Sequence, residues 1–292
     1  EGDHVLISSM EHNSVTRPLE SLKDKGVTYS TFDYSYDDNE TVDNVRNLIK
    51  PETKLVICTH ASNVFGFRFP IERICALCHA YGILFCVDSA QSAGVFDIDV
   101  GTNQYDFVCM SGHKSLYGPM GTGVLILNNR NLKPLLYGGT GTESVKKSQP
   151  EGLPEKFESG TQNMNGISGL KAGVDFVKNR GIKNIYNHEY KLAKRLFNGL
   201  ANNRKVITYN KSFDYGKVAP VVSFNIDGVY SEDLVAKLNK YGIMTRGGLH
   251  CSPLAHTTMN TIENGTVRVV PGAFNTINDI NYLLNVIRKL TN

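Results

Sequence analysis

The chain has 292 residues, with 31 Lys and Arg against 28 Asp and Glu and a formal charge of +3; so small a surplus makes no case for binding nucleic acid or an anionic membrane. No apolar stretch reaches the roughly 20 residues that a bilayer span requires, and Glu1-Gly-Asp-His4 lacks the charged-then-apolar layout of a signal peptide. The expectation is a cytoplasmic protein built as one large domain with a smaller companion.

In chain order, short apolar runs alternate with helical patterns, the signature of a mainly parallel sheet covered by helices. The expected strands are His4–Ser8, Gly26–Ser30, Lys54–Thr59, Ile83–Val87, Phe107–Met110 and Gly123–Leu127, with helices such as Asn13–Lys25 and Ile71–Tyr81 between them. Residues 163–203 read as helical, weakened near Gly181. Beyond them Val206–Tyr209, Val221–Ile226 and Thr266–Val270 read as strands, and Ser231–Tyr241 and Ile277–Leu290 as helices. These spans predict an α/β large domain over 1–203 and a small α+β carboxyl-terminal domain over 204–292.

Six cysteines in so long a chain do not make a disulfide framework. Cys58, Cys75, Cys86 and Cys109 sit in apolar runs, where cysteine packs as a small hydrophobe. Cys75 and Cys78 form a Cys-x-x-Cys pair, but within a helical pattern and with no second pair at zinc spacing, so no metal site is expected. Cys251 differs, because Arg246-Gly-Gly-Leu-His-Cys-Ser-Pro-Leu254 is glycine-rich and polar. It is placed like a loop nucleophile.

Ligands of open parallel sheets gather at the carboxyl ends of the strands, where Glu11-His12, Asn63, Asp88 and Ser111 to Lys114 all fall. One crevice is expected to hold them. Lys114 stands where a strand gives way to a glycine-rich turn, a position suited to a Schiff-base nucleophile. Asp88 ends another strand, and a carboxylate there suits the ring nitrogen of an aldehyde cofactor. A lysine and a carboxylate so placed suggest pyridoxal phosphate (PLP).

Met10-Glu-His-Asn13, Ser62-Asn-Val-Phe-Gly66, Val87-Asp-Ser-Ala-Gln91, Ser111-Gly-His-Lys114, Phe157-Glu-Ser-Gly-Thr161, Arg246 to Cys251, and Arg268 with Phe274-Asn-Thr276 occur in that order. Together they resemble the class V aminotransferase family, and within it the cysteine desulfurases and selenocysteine lyases of the SufS or CsdA type. The resemblance runs the length of the chain and implies a fold-type-I PLP enzyme working as a homodimer on L-cysteine or L-selenocysteine, with a sulfur-acceptor protein as a possible partner.

Position by position, the resemblance implies that His12 stacks on the cofactor ring and takes part in proton transfer, and that Asn63 and Gln91 hydrogen-bond the ring hydroxyl. Asp88 pairs with the pyridine nitrogen, Ser111 and His113 hold phosphate oxygens, and Lys114 carries the Schiff base. Arg268 clamps the substrate carboxylate, with Asn63 and Arg246 assisting nearby, and Cys251 becomes a persulfide. Gly138-Gly-Thr-Gly-Thr142 looks like the loop that brings Thr142 to the neighbour's phosphate.

Two departures from the family pattern stand out. Leu249 occupies a position where the SufS type often has histidine. Members of the family also begin with some tens of further residues, including a threonine-bearing turn that anchors phosphate; nothing here matches it, so weaker PLP binding is expected. The competing readings are another PLP reaction on the same scaffold (selenocysteine cleavage, other C–S lysis or transamination) and a cofactor-free interaction subunit or inactive remnant.

Overall fold

A computed structural model describes residues 2–128 and 132–291 of the chain; Glu1 and Asn292, the outer bounds of the two expected domains, lie outside them. In chain order the elements of the first unit are β1 (His4–Ser8), α1 (Asn13–Leu22), β2 (Thr28–Phe32), α2 (Asp38–Leu48), β3 (Thr53–Thr59), α3 (Ile71–Ala80), β4 (Leu84–Asp88), the short α4 (Val100–Asn103), β5 (Phe107–Ser111) and β6 (Gly123–Leu127). Then follow α5 (Met164–Arg180), α6 (Ile182–Ala201), β7 (Val206–Thr208), β8 (Val222–Ile226), α7 (Ser231–Asn239), α8 (Pro253–Thr258), β9 (Val267–Val269) and α9 (Ile277–Thr291).

The larger sheet runs β2-β1-β3-β4-β5-β6, parallel except for β6, which pairs antiparallel with β5. Helices cover its faces, so its central strands bury apolar side chains on both sides; all five residues of β1 are buried, and Val56, Phe85 and Val108 are fully enclosed. Chain order reverses around β1, which has β2 on one side and β3 on the other. The connections leaving β1 and β3 therefore diverge, and a crevice opens at their carboxyl ends.

A second, antiparallel sheet, β7-β8-β9, packs against α6, α7 and α9. Leu192, Leu196 and Leu200 of α6 share its core with Phe224, Leu234, Leu283 and Ile287. This is the small α+β unit expected from the sequence, and it draws on a helix that precedes residue 203. The two units are bolted along the β3–α3 connection, where Asn210 Nδ2 donates to the Phe65 carbonyl (3.1 Å), Ser223 Oγ to the Val64 carbonyl (2.5 Å) and the Ala219 N–H to the Gly66 carbonyl (2.8 Å).

Most elements fall within two residues of their expected ends. Expected as Gly26–Ser30, β2 lies at Thr28–Phe32, because Gly26 takes φ +77° to close the 3-10 turn Lys23–Lys25 and the chain extends only afterwards. The helical stretch 163–203 divides at Gly181, whose φ of +84° ends α5 and starts α6. Helix α2 was not singled out from the sequence, because it buries only Thr41, Val42 and Val45 among polar residues.

Packing fixes the turn that carries Lys114. A Cβ added to Gly173 of α5 would stand 2.2 Å from the Leu116 carbonyl oxygen and 2.6 Å from the Tyr117 carbonyl carbon. The helix and the turn thus meet backbone to backbone. Gly173→Ala is expected to cost about 1–3 kcal/mol of stability by overpacking; urea unfolding of both proteins with coincident midpoints would contradict this close approach.

Candidate active site

The crevice is a cavity of about 670 Å³, within the usual range for a small-molecule site. His12, Asn63, Asp88, Gln91, Ser111, His113 and Lys114 reach it from the carboxyl ends of the large sheet, and Arg246 and Arg268 from the second unit. Sequence positions more than 250 residues apart are thereby brought to one cleft.

Lys114 lies in the turn after β5, closed by the Tyr117 N–H bonding the Lys114 carbonyl at 2.9 Å. Its amine has no hydrogen bond or ion pair among the described residues. Burial lowers its pKa, the Asp88 carboxylate opposes that shift, and the Arg268 guanidinium adds to it. The outcome favours a more neutral, more nucleophilic amine than a surface lysine.

Asp88 is the last residue of β4, in register with Thr59 and Cys109 on its two neighbours. One of its oxygens accepts the Ala90 N–H at 2.9 Å; the other has no hydrogen-bond partner among the described residues. His12 caps α1, accepting the Ser14 N–H at 3.1 Å on Nδ1. Burial, then the charge of Lys114, lowers its pKa, which favours the neutral ring. Gln91 lines the cleft, its amide without a hydrogen bond among the described residues, while Ser111 Oγ and His113 Nδ1 lie 3.2 Å apart at its edge.

A pyridoxal phosphate asks for an uncommitted amine, a carboxylate oxygen to spare, a flat neutral ring and donors for phosphate. Lys114, Asp88, His12, Ser111 and His113 provide them in one cavity, so the residues present fit the group. Thr142 lies apart, exposed and 3.2 Å from the Thr140 hydroxyl. Its expected role concerns the site of a second copy.

Across the cleft, Arg246 and Arg268 pair backbone to backbone, the Arg268 N–H bonding the Arg246 carbonyl at 2.8 Å. Arg268 donates to the Asn63 carbonyl at 2.7 Å and forms no ion pair among the described residues. Burial, then the neighbouring Arg246, lowers its pKa to about 10. Two cations without a carboxylate between them suit an anionic group of a ligand. Cys251 stands at the rim, the one exposed thiol of the six, with an Arg246 guanidinium nitrogen 3.8 Å from its sulfur.

Glu11 departs from the expectation that it shares the crevice. Its carboxyl turns into the protein, fully buried, and takes bonds from Ser8 Oγ (2.5 Å) and the Thr59 N–H (2.6 Å) on one oxygen. Burial first, then the Asp88 charge, pushes its pKa up to about 8. A further acidic residue of the lining was missed in the sequence. Glu189 of α6, 3% exposed, accepts from Tyr117 Oη at 3.0 Å and is raised to about 7, chiefly by burial. Within a helix rich in polar residues, no local pattern marks it.

Residues 1–283 match the family described as Aminotransferase class-V. A protein of Pyrococcus abyssi named "Probable cysteine desulfurase" is 34% identical over 300 residues, covering 99% of this chain and 73% of the relative. The apo structure of cysteine desulfurase from Thermococcus onnurineus NA1 superposes with a TM-score of 0.90 at 32% identity, covering 100% of this chain and 73% of that one. The Escherichia coli cysteine desulfurase CsdA gives 0.88 at 28% identity, over 99% and 72%. The matches span both units of the fold.

The raised pKa of Glu11 carries a stability consequence. A carboxyl whose folded pKa exceeds its unfolded one contributes stability below the unfolded value, near 4.5, that is lost as pH rises through about 8. Glu11→Gln keeps an acceptor for Ser8 and Thr59 without a charge. It is expected to come close to the parent near pH 5 and to gain on it by about 4 kcal/mol by pH 9; parallel stability profiles from denaturant unfolding across that range would contradict the assignment.

Proposed function

Since the chain belongs to the class V aminotransferase family, we propose that it is a PLP-dependent cysteine desulfurase, converting L-cysteine to L-alanine and taking the sulfur as a persulfide on Cys251. One observation carries the reading: a buried, uncommitted lysine amine and a carboxylate share a cleft with two arginines, and an exposed thiol lies 3.8 Å from one of those arginines.

In this reading Lys114 anchors the cofactor, Asp88 holds its ring nitrogen, His12 lies against its ring, Gln91 and Asn63 meet its hydroxyl, and Ser111 and His113 meet its phosphate. The chemistry that PLP supplies when bound is an electron sink for the substrate α-carbon, which weakens the carbon–sulfur bond. Arg268, assisted by Arg246, holds the substrate carboxylate. The Lys114 amine, its pKa lowered by burial, is suited to carry a proton to and from the substrate α-carbon. The Cys251 thiolate, near the Arg246 cation, attacks the substrate sulfur; the Cβ–S bond breaks, an S–S bond forms, and Cβ receives a proton. One cysteine and one thiol thus yield one alanine and one persulfide.

The unit of function is proposed to be a homodimer, with Thr142 of one copy serving the phosphate of the other. In favour of it are the exposed side chains Leu135, Leu136, Tyr137 and Val145, which flank the Gly138–Thr142 segment. Six free thiols favour a reducing, cytoplasmic setting. A sulfur-acceptor protein would then unload Cys251, and selenocysteine is a second candidate substrate.

Two outcomes test this reading. Borohydride reduction of the PLP-loaded protein is expected to fix the cofactor on the peptide carrying Lys114, and Lys114→Ala to lose both the label and the visible absorbance; a label on another lysine would refute the anchor. Cys251→Ala is expected to lose at least about 100-fold in alanine release from cysteine, roughly the 3 kcal/mol that one covalent participant supplies, and less from selenocysteine, whose carbon–selenium bond is weaker. Alanine release at the parental rate would move a lyase or transaminase ahead.

A further inference from the structure

The loop of Cys251 is strained and held from outside. His250 and Cys251 have φ of +53° and +59°, two consecutive residues with side chains in the left-handed region, where the Cβ crowds the following carbonyl. Such a pair persists only if its surroundings hold it. Three bonds from the large unit do so. Asn63 Nδ2 donates to the His250 carbonyl (2.9 Å), Ser252 Oγ donates to Asn63 Oδ1 (2.8 Å), and the Asn13 N–H donates to the Cys251 carbonyl (2.8 Å).

The Asn63 amide therefore spans the cysteine, gripping the residue before it and the residue after it. Asn63 and Ser252 are both buried, Ser252 completely, so neither bond is exchanged for water at little cost. The Asn63 carbonyl meanwhile accepts from Arg268 at 2.7 Å. One residue touches both the guanidinium offered to the substrate carboxylate and the loop that bears the thiol.

We propose that Asn63 and Ser252 form a positioning clamp for the Cys251 thiol, which holds its loop in the left-handed conformation that sets the sulfur beside Arg246. This rests on the reading of Cys251 as the sulfur acceptor. The cofactor hydroxyl earlier expected to take the Asn63 amide then competes for, or shares, an amide already bonded at both ends; an amide has one more N–H and one more lone pair to give.

Ser252 lies outside the cleft lining, so Ser252→Ala separates the clamp from substrate binding. In the PLP-loaded protein, this variant is expected to lower kcat about tenfold, the worth of one buried hydrogen bond, with KM for cysteine and the visible spectrum unchanged, and Ser252→Thr to restore kcat. Iodoacetamide alkylation of Cys251, followed by peptide mass, is expected to quicken at least about fivefold in Ser252→Ala as the loop relaxes. An unchanged alkylation rate overturns the clamp whatever the turnover; faster alkylation with unchanged kcat overturns its part in positioning. If Ser252→Ala does not fold, Asn63→Asp, which keeps the acceptor for Ser252 and loses the donor to His250, gives the alkylation readout in its place, and an unchanged rate there overturns the clamp. Alkylation needs no substrate, so a failure of the desulfurase reading would show separately, as turnover that survives Cys251→Ala.

Discussion

The Lys114 amine sits where burial disfavours its charge, the Asp88 carboxylate favours it and the Arg268 guanidinium disfavours it again. That balance leaves a lysine that is neither a solvated surface cation nor half of a closed ion pair, and much of the fold serves to maintain it. Asp88 can face the amine because it ends β4 between β3 and β5, with the sheet register fixing its height. The turn bearing Lys114 cannot slide, because Gly173 of α5 presses on its backbone. Arg268 reaches the same space only because the second unit is bolted to the β3–α3 connection.

That connection is where the two units become one site. Val64, Phe65 and Gly66 give their carbonyls to the second unit, while Asn63, at the head of the same turn, takes Arg268 on its carbonyl and the Cys251 loop on its amide. Four adjacent residues thus set the Arg268 guanidinium in the cleft and the Cys251 loop beside it. Beneath them burial and the Asp88 charge raise the pKa of the Glu11 carboxyl, which favours its neutral form and spares the interior a second negative charge.

Much of the fold was legible in the sequence because its signals are local. Apolar runs of five residues between helical patterns marked β1, β3, β4, β5 and β6 to within a residue or so, and Asp88 and Lys114 stood out by their places at strand ends. What was not legible depends on partners distant in the chain. Glu11 shares a strand end with His12, yet its side chain turns inward to Ser8 and the Thr59 N–H, a choice that no neighbour in sequence dictates. Glu189 enters the cleft from the middle of α6, and Ser252 pairs with a residue 189 positions away. Only tertiary packing reveals them. Likewise α2 escaped notice, since its stability comes from three buried side chains and an Asp37 cap rather than from a strong apolar stripe.

The central claim is that a substrate sulfur atom passes to Cys251. Mixing the PLP-loaded protein with one equivalent of L-cysteine in the absence of reductant, quenching at once and weighing the tryptic peptides tests it most directly. The account predicts that the peptide containing Cys251 gains the mass of one sulfur atom, with one alanine released per site and the added mass removed by a thiol reductant. Alanine released with the Cys251 peptide unmodified, or the added sulfur found on another cysteine, would contradict it.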